Sequence, residues 1–166
     1  MKHCIGLAVL SIAVLLLCSP ARANSFRIGP SVGMRGSATP IGVALGLQFQ
    51  KNVWLDLQYS YMVYHDNDIN VISPGFSYRD AINDKWEWFV GGGLAVMPTQ
   101  LASKGPGRPA VSTTPVGGGA NFGASWRISD KMLTSAYLEY AYAGNDDVNI
   151  SYFGLGLRLD FELGKK

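Results

Sequence analysis

Histidine occurs at two positions in this chain, and only His65 lies beyond the N-terminal leader-like run, flanked by Asp66 and Asp68. A serine becomes nucleophilic when a base can take its proton, so Ser60, Ser73 and Ser77, near His65 along the chain, would suit acyl transfer. The geometry is poor: strand parity puts Ser60 on a different face from His65. No His-x-Ser-Asn block accompanies them, and no residue is assigned a catalytic role. A second patch is oxygen-rich, with Asp66, Asp68, Asp146 and Asp147 amid Asn67, Asn70, Asn145 and Asn149. It lacks the glycine and distal glutamate of a twelve-residue calcium loop, and Asp and Asn are ordinary turn formers. These residues read as solvated turns, and no metal or cofactor is expected. Lys104 and Arg108, in a stretch rich in Pro, Gly, Ser and Thr, are a basic pair suited to phosphates.

A third set of charges is more orderly. Asn149–Leu163 alternates so that Phe153, Leu155, Leu157, Leu159 and Phe161 share one face, with Arg158, Asp160 and Glu162 on the other. A period of two is that of a strand. The same alternation recurs between turn signals and predicts eight strands, at about 25–35, 40–50, 53–64, 71–82, 85–97, 116–128, 133–144 and 149–163. Reading the polar parity in strand order gives Arg27, Gln48, Asp56, Arg79, Glu87, Arg127 and Glu139, then Arg158, Asp160 and Glu162. The signs alternate, and the charges are expected at a similar height.

The opposite faces are apolar, as in Ile41, Val43, Leu45, Leu47 and Phe49 of the second strand. Trp86, Trp88, Trp126, Phe26, Phe49 and Phe161 gather at one end and Tyr61, Tyr140 and Tyr142 at the other, as two interfacial girdles would. Short connections at 51–52, 83–84 and 129–131 alternate with longer ones at 36–39, 65–70, 98–115 and 145–148. Together these features predict an all-β, eight-stranded antiparallel up-and-down transmembrane barrel, with short periplasmic turns and longer outer loops. So narrow a barrel is filled by its side chains, so the alternating charges are expected to form an ion-pair network closing the lumen. Inward glycines leave either a cavity toward the outside or, the preferred reading, a strongly coiled wall filled by Tyr64, Phe89, Met97, Tyr137 and Tyr152.

The address agrees. Lys2 and His3 precede an apolar run of about 13 residues, shorter than the roughly 20 of a membrane helix, and Ala21-Arg22-Ala23 resembles a signal-peptidase site. A signal at 1–23 with cleavage after Ala23 would leave one barrel domain at 24–166. Both cysteines, Cys4 and Cys18, would leave with it, and the 14 basic residues would fall to 12, matching the 12 acids. Nucleic acid is therefore not an implied partner.

Gly156, Leu159 and Phe161 have the spacing of a closing-strand assembly signal: glycine, a hydrophobic residue three on, an aromatic two further. In this motif and in its architecture the chain resembles the small eight-stranded outer-membrane barrels of the OmpA-barrel, OmpX and Ail kind, although it continues from Glu162 to Lys166 where family members often end on the aromatic. The resemblance implies an integral outer-membrane protein, monomeric, inserted by the outer-membrane assembly machinery and surrounded by lipid and lipopolysaccharide. The function expected is non-enzymatic: envelope structure or surface recognition through loops carrying His65, Asp66, Asp68, Lys104, Arg108, Asp146 and Asp147. A lipid-modifying hydrolase using His65, a narrow channel and a soluble barrel with a greasy ligand are the rivals.

Overall fold

Alternating apolar and polar residues leave a strand one way to bury its polar face beside lipid, which is to turn that face into a closed lumen. The computed structural model describes residues 25–64, 67–101, 111–146 and 148–164. Its strands are β1 (Phe26–Arg35), β2 (Ile41–Gln48), β3 (Val53–Tyr64), β4 (Asn67–Ala81), β5 (Trp86–Val96), β6 (Thr99–Leu101), β7 (Val111–Thr113), β8 (Val116–Ser129), β9 (Met132–Gly144) and β10 (Asn149–Leu163). Neighbours pair antiparallel, and β1–β10 pairing closes the ring of β1–β5 and β8–β10 into an eight-stranded barrel. Closure leaves no unpaired edge in the ring.

The outer end departs from the sequence reading. The β3–β4 ladder continues to Tyr64↔Asn67, so β4 begins four residues before the expected Val71, and Asp68 and Asn70 are strand residues where a loop was expected. Polar side chains on both faces of this hairpin hide that extension, because period-two alternation stops there. The stretch read as one long loop contains β6 and β7, which pair with each other while β6 also pairs with β4 at Ile69↔Thr99. The first outer connection is a tight turn, with Arg35 bridged to Ala38 and Gly36 at φ 61°, a conformation in which glycine avoids the Cβ penalty.

Two outward-facing prolines interrupt the ladder. The β1–β10 pairing skips from Ile28↔Phe161 to Ser31↔Arg158 around Pro30, and the β4–β5 pairing from Ile72↔Val96 to Gly75↔Gly93 around Pro74. A prolyl nitrogen has no hydrogen to donate. At both places a glycine, Gly29 or Gly93, brings its backbone against the facing carbonyl, of Leu159 or Pro74, where a Cβ would collide.

The outward face is exposed and apolar around the whole ring, including Val32, Ile41, Phe76, Val90, Phe122, Leu138, Leu155 and Leu157. Trp86 stacks on Trp126 at 6.2 Å and Tyr78 lies 5.6 Å from Trp88 near the short turns. At the other end Tyr59 donates to Asn70 and Tyr61 to Asp68, both at 2.7 Å, and Tyr142 donates to Asn149 at 3.0 Å. The tyrosine hydroxyls thus find partners where the wall meets water.

Candidate functional site

The lumen holds the chemistry. In the half nearer the short turns, Arg27 enters from β1 and donates to Glu87 on β5 at 2.5 and 3.1 Å and to Glu162 on β10 at 3.3 Å. Arg127 on β8 reaches the same Glu162 at 3.1 Å, and Ser25 donates to it at 2.7 Å. Arg79 on β4 donates to Asp56 on β3 at 3.2 Å and approaches Glu87 at 3.6 Å, while Ser77 donates to Asp56. Arg158 binds Asp160 at 2.7 Å, and the buried pair Ser125 and Ser135, 2.9 Å apart, completes that cluster with Ser135 donating to Asp160 at 3.3 Å.

All nine residues expected in the charged network, Arg27, Asp56, Arg79, Glu87, Arg127, Glu139, Arg158, Asp160 and Glu162, stand in ion pairs. Their height is corrected. Glu139 lies in an upper tier, seven residues along β9 from Met132, and its partner is Arg35 at 2.6 Å. Gln48 is not part of the network; its amide donates to the Lys51 carbonyl at the turn. Two members were missed. Arg35 is buried and also donates to Ser60 at 3.0 Å, and Trp54 receives Arg27 at 4.3 Å and Arg79 at 5.2 Å over its ring. Parity was the available signal for both, since Arg35 shares the face of Arg27 and Trp54 that of Asp56.

Five guanidiniums therefore meet five carboxylates among the described residues. Each charge would cost several kcal/mol to bury alone, whereas the matched set carries no net charge, and Arg79 lies over the rings of both Trp54, at 5.2 Å, and Phe89, at 4.9 Å. Of the cavities that touch this network among the described residues, one of about 50 Å³ lies beside Asp56, Arg79 and Arg158, and one of about 300 Å³ lies at the short-turn end, lined by Glu87 and Arg127.

Above the Arg35–Glu139 tier the lumen changes character. Met62, Ile69, Val71, Ala95, Met97, Ala141 and Ala143 are all buried there and form an apolar plug, with Ile150 and Tyr152 packed against it. Phe89 and Tyr137 fill the middle, as expected, but Tyr64 does not help: it is 39% exposed at the rim, where the hairpin has risen past the plug.

The loop residues are dispersed. Asp68 is bound by Tyr61, and Asp146 is exposed in the β9–β10 turn. His65, Asp66, Lys104, Arg108 and Asp147 lie outside the described residues. Ser60 and Ser77, considered as nucleophiles, are engaged by Arg35 and Asp56. Of the assembly motif, Gly156 points inward, and the ring of Tyr137 occupies the space its Cβ would take, while Phe161 is exposed on the outer wall. Gly156→Val is expected to lower stability by about 1–3 kcal/mol through overpacking. Urea titration should show this, and Tyr137→Ala in the same chain should recover part of the loss.

No family model and no curated protein matches this sequence. The structure is similar to the N-terminal β-barrel domain of Pseudomonas aeruginosa OprF, with TM-score 0.71, 18% identity, and coverage of 84% of this chain and 98% of that one. Neisserial surface protein A follows at TM-score 0.61 and 12% identity over 84% and 94%. The attachment invasion locus protein Ail of Yersinia pestis gives 0.53 and 16% over 82% and 97%. The chain thus has the closed, eight-stranded, antiparallel fold of the small outer-membrane barrels. At these identities the likeness concerns fold, and function has to be argued from the site.

Proposed function

We propose that this protein is an integral outer-membrane barrel, exported by a cleaved signal at 1–23, whose lumen is a closed strut and whose role is envelope structure or surface recognition through its outer loops. The observation that carries this reading is the double seal: a neutral network of five arginines and five carboxylates below an apolar plug. A pore needs a continuous wet path, and Met62 and Met97, buried above the Arg35–Glu139 pair, stand in its way. The outward Trp and Tyr girdles and the unbroken apolar wall fit a barrel held in lipid rather than one dissolved in water.

The reading contains no catalytic step. It has lipid and lipopolysaccharide as surroundings and the assembly machinery as the partner that inserts a single copy. The test is fractionation with reconstitution. The protein should be recovered with outer membranes, migrate differently in detergent gels before and after boiling, and give planar-bilayer traces without sustained conductance. Steady ion current would replace this proposal with a channel, and recovery in the aqueous fraction without detergent would replace it with a soluble barrel. Lipid A from cells overproducing the chain should keep its mass; loss or gain of an acyl chain would restore the lipid-modifying alternative.

A further inference from the structure

The outer mouth of the barrel holds a crevice of about 260 Å³ that the closed-strut role leaves unused. Met62, Ile69 and Ile150 line it, and the first two also belong to the apolar plug, so its floor is the top of that plug. A dry cavity of roughly 150 Å³ accepts a benzene ring, so this one suits a molecule of about ten non-hydrogen atoms. It has about five times the volume of the cavity beside Asp56 and Arg79 and lies at the outer end of the lumen.

One charged group faces this apolar space. Arg35 lines the crevice with Tyr152, whose ring lies 4.1 Å from the guanidinium carbon. Its Nε donates to Glu139 at 2.6 Å, and its Nη1 donates to Ser60 at 3.0 Å and meets the Met62 sulfur at 3.9 Å. These bonds use Nε and Nη1 and leave Nη2 outside them. The charge is already matched by Glu139, so an anion bound here would bring an unbalanced negative charge beside a carboxylate, which is unfavourable. A neutral acceptor meets no such opposition and can take a hydrogen bond from the guanidinium.

We propose that this mouth binds a small neutral molecule with an apolar body and one hydrogen-bond acceptor, such as a ketone or ester, its oxygen on Arg35 Nη2 and its body between Met62, Ile69 and Ile150. The site is blind, so the ligand is held at the outer surface and not transported. This inference stands apart from the display role, because a closed strut with an empty crevice would satisfy that role equally.

The test uses the full chain in lipid nanodiscs with methyl-labelled methionine and acetophenone as the probe. The Met62 methyl resonance should shift along a saturable curve, whereas Met34, 64% exposed on the lipid wall, should drift linearly as the probe enters the bilayer. Phenylacetate should bind at least tenfold more weakly, and ethylbenzene, with no acceptor, also more weakly. Ile150→Trp should abolish the saturable shift, with Ile150→Phe serving if the tryptophan variant fails to fold. A Met62 response that merely follows Met34, an unchanged response after the crevice is filled, or phenylacetate binding as tightly as acetophenone would overturn the proposal.

Discussion

Replacing Arg35 with methionine is expected to lower the unfolding free energy by about 3–5 kcal/mol, the cost of leaving a buried charge without its partner. Glu139 is the residue that suffers. Its carboxylate has an ion pair with Arg35 alone, at 2.6 Å, among the described residues, whereas Glu87 and Glu162 in the lower tier each touch two arginines. Loss of Arg35 also removes the donor to Ser60 and the cation over Tyr152. The measurement is reversible urea unfolding in lipid or detergent, followed by tryptophan fluorescence. A double replacement, Arg35→Met with Glu139→Leu, should recover most of the loss, because two apolar groups in a region already next to Met62 and Ala141 need no pairing. If the two single losses simply add, the pair is not the unit described here.

Leu157→Arg is the second large effect expected, about 2–4 kcal/mol of destabilisation in a bilayer, the cost of a cation on the lipid face at mid-depth. Leu157 is 58% exposed and sits midway along β10, paired with Ala136 on one side and Val32 on the other. Leu163, also outward, ends the same strand. The same change there should cost only about 0–1 kcal/mol, because the side chain can reach the headgroups. Paired folding titrations of the two variants in vesicles decide it. Equal costs at both depths would mean that the apolar wall does not face hydrocarbon, and the membrane assignment would fall with that result.

Much of this architecture is legible in the order of the residues. Period-two alternation locates every barrel strand to within a few residues, because a wall between lipid and lumen forces opposite chemistry on adjacent positions. The exception is informative: β4 starts at Asn67, above the expected Val71, since beyond the headgroups alternation is no longer demanded and the signal stops. The short β6–β7 hairpin is hidden for the same reason and because three-residue strands carry too few residues to show a period. Charge parity puts nine network residues into the lumen, yet it passes over Arg35 at the end of β1 and Trp54 beside the second turn. Both lie on the inward parity, but nothing along the chain says which inward residue at a strand end turns back into the barrel.

Sequence alone therefore determined the barrel, its strand number and the set of charges that must share its interior, because each of these follows from periodicity and from counting side chains against a narrow lumen. The tertiary structure decided who pairs with whom. Strand tilt and register set the heights that place Glu139 beside Arg35, Arg27 between Glu87 and Glu162, and an apolar plug above them all. Those heights depend on how eight ladders close on one another, a condition that no single strand contains.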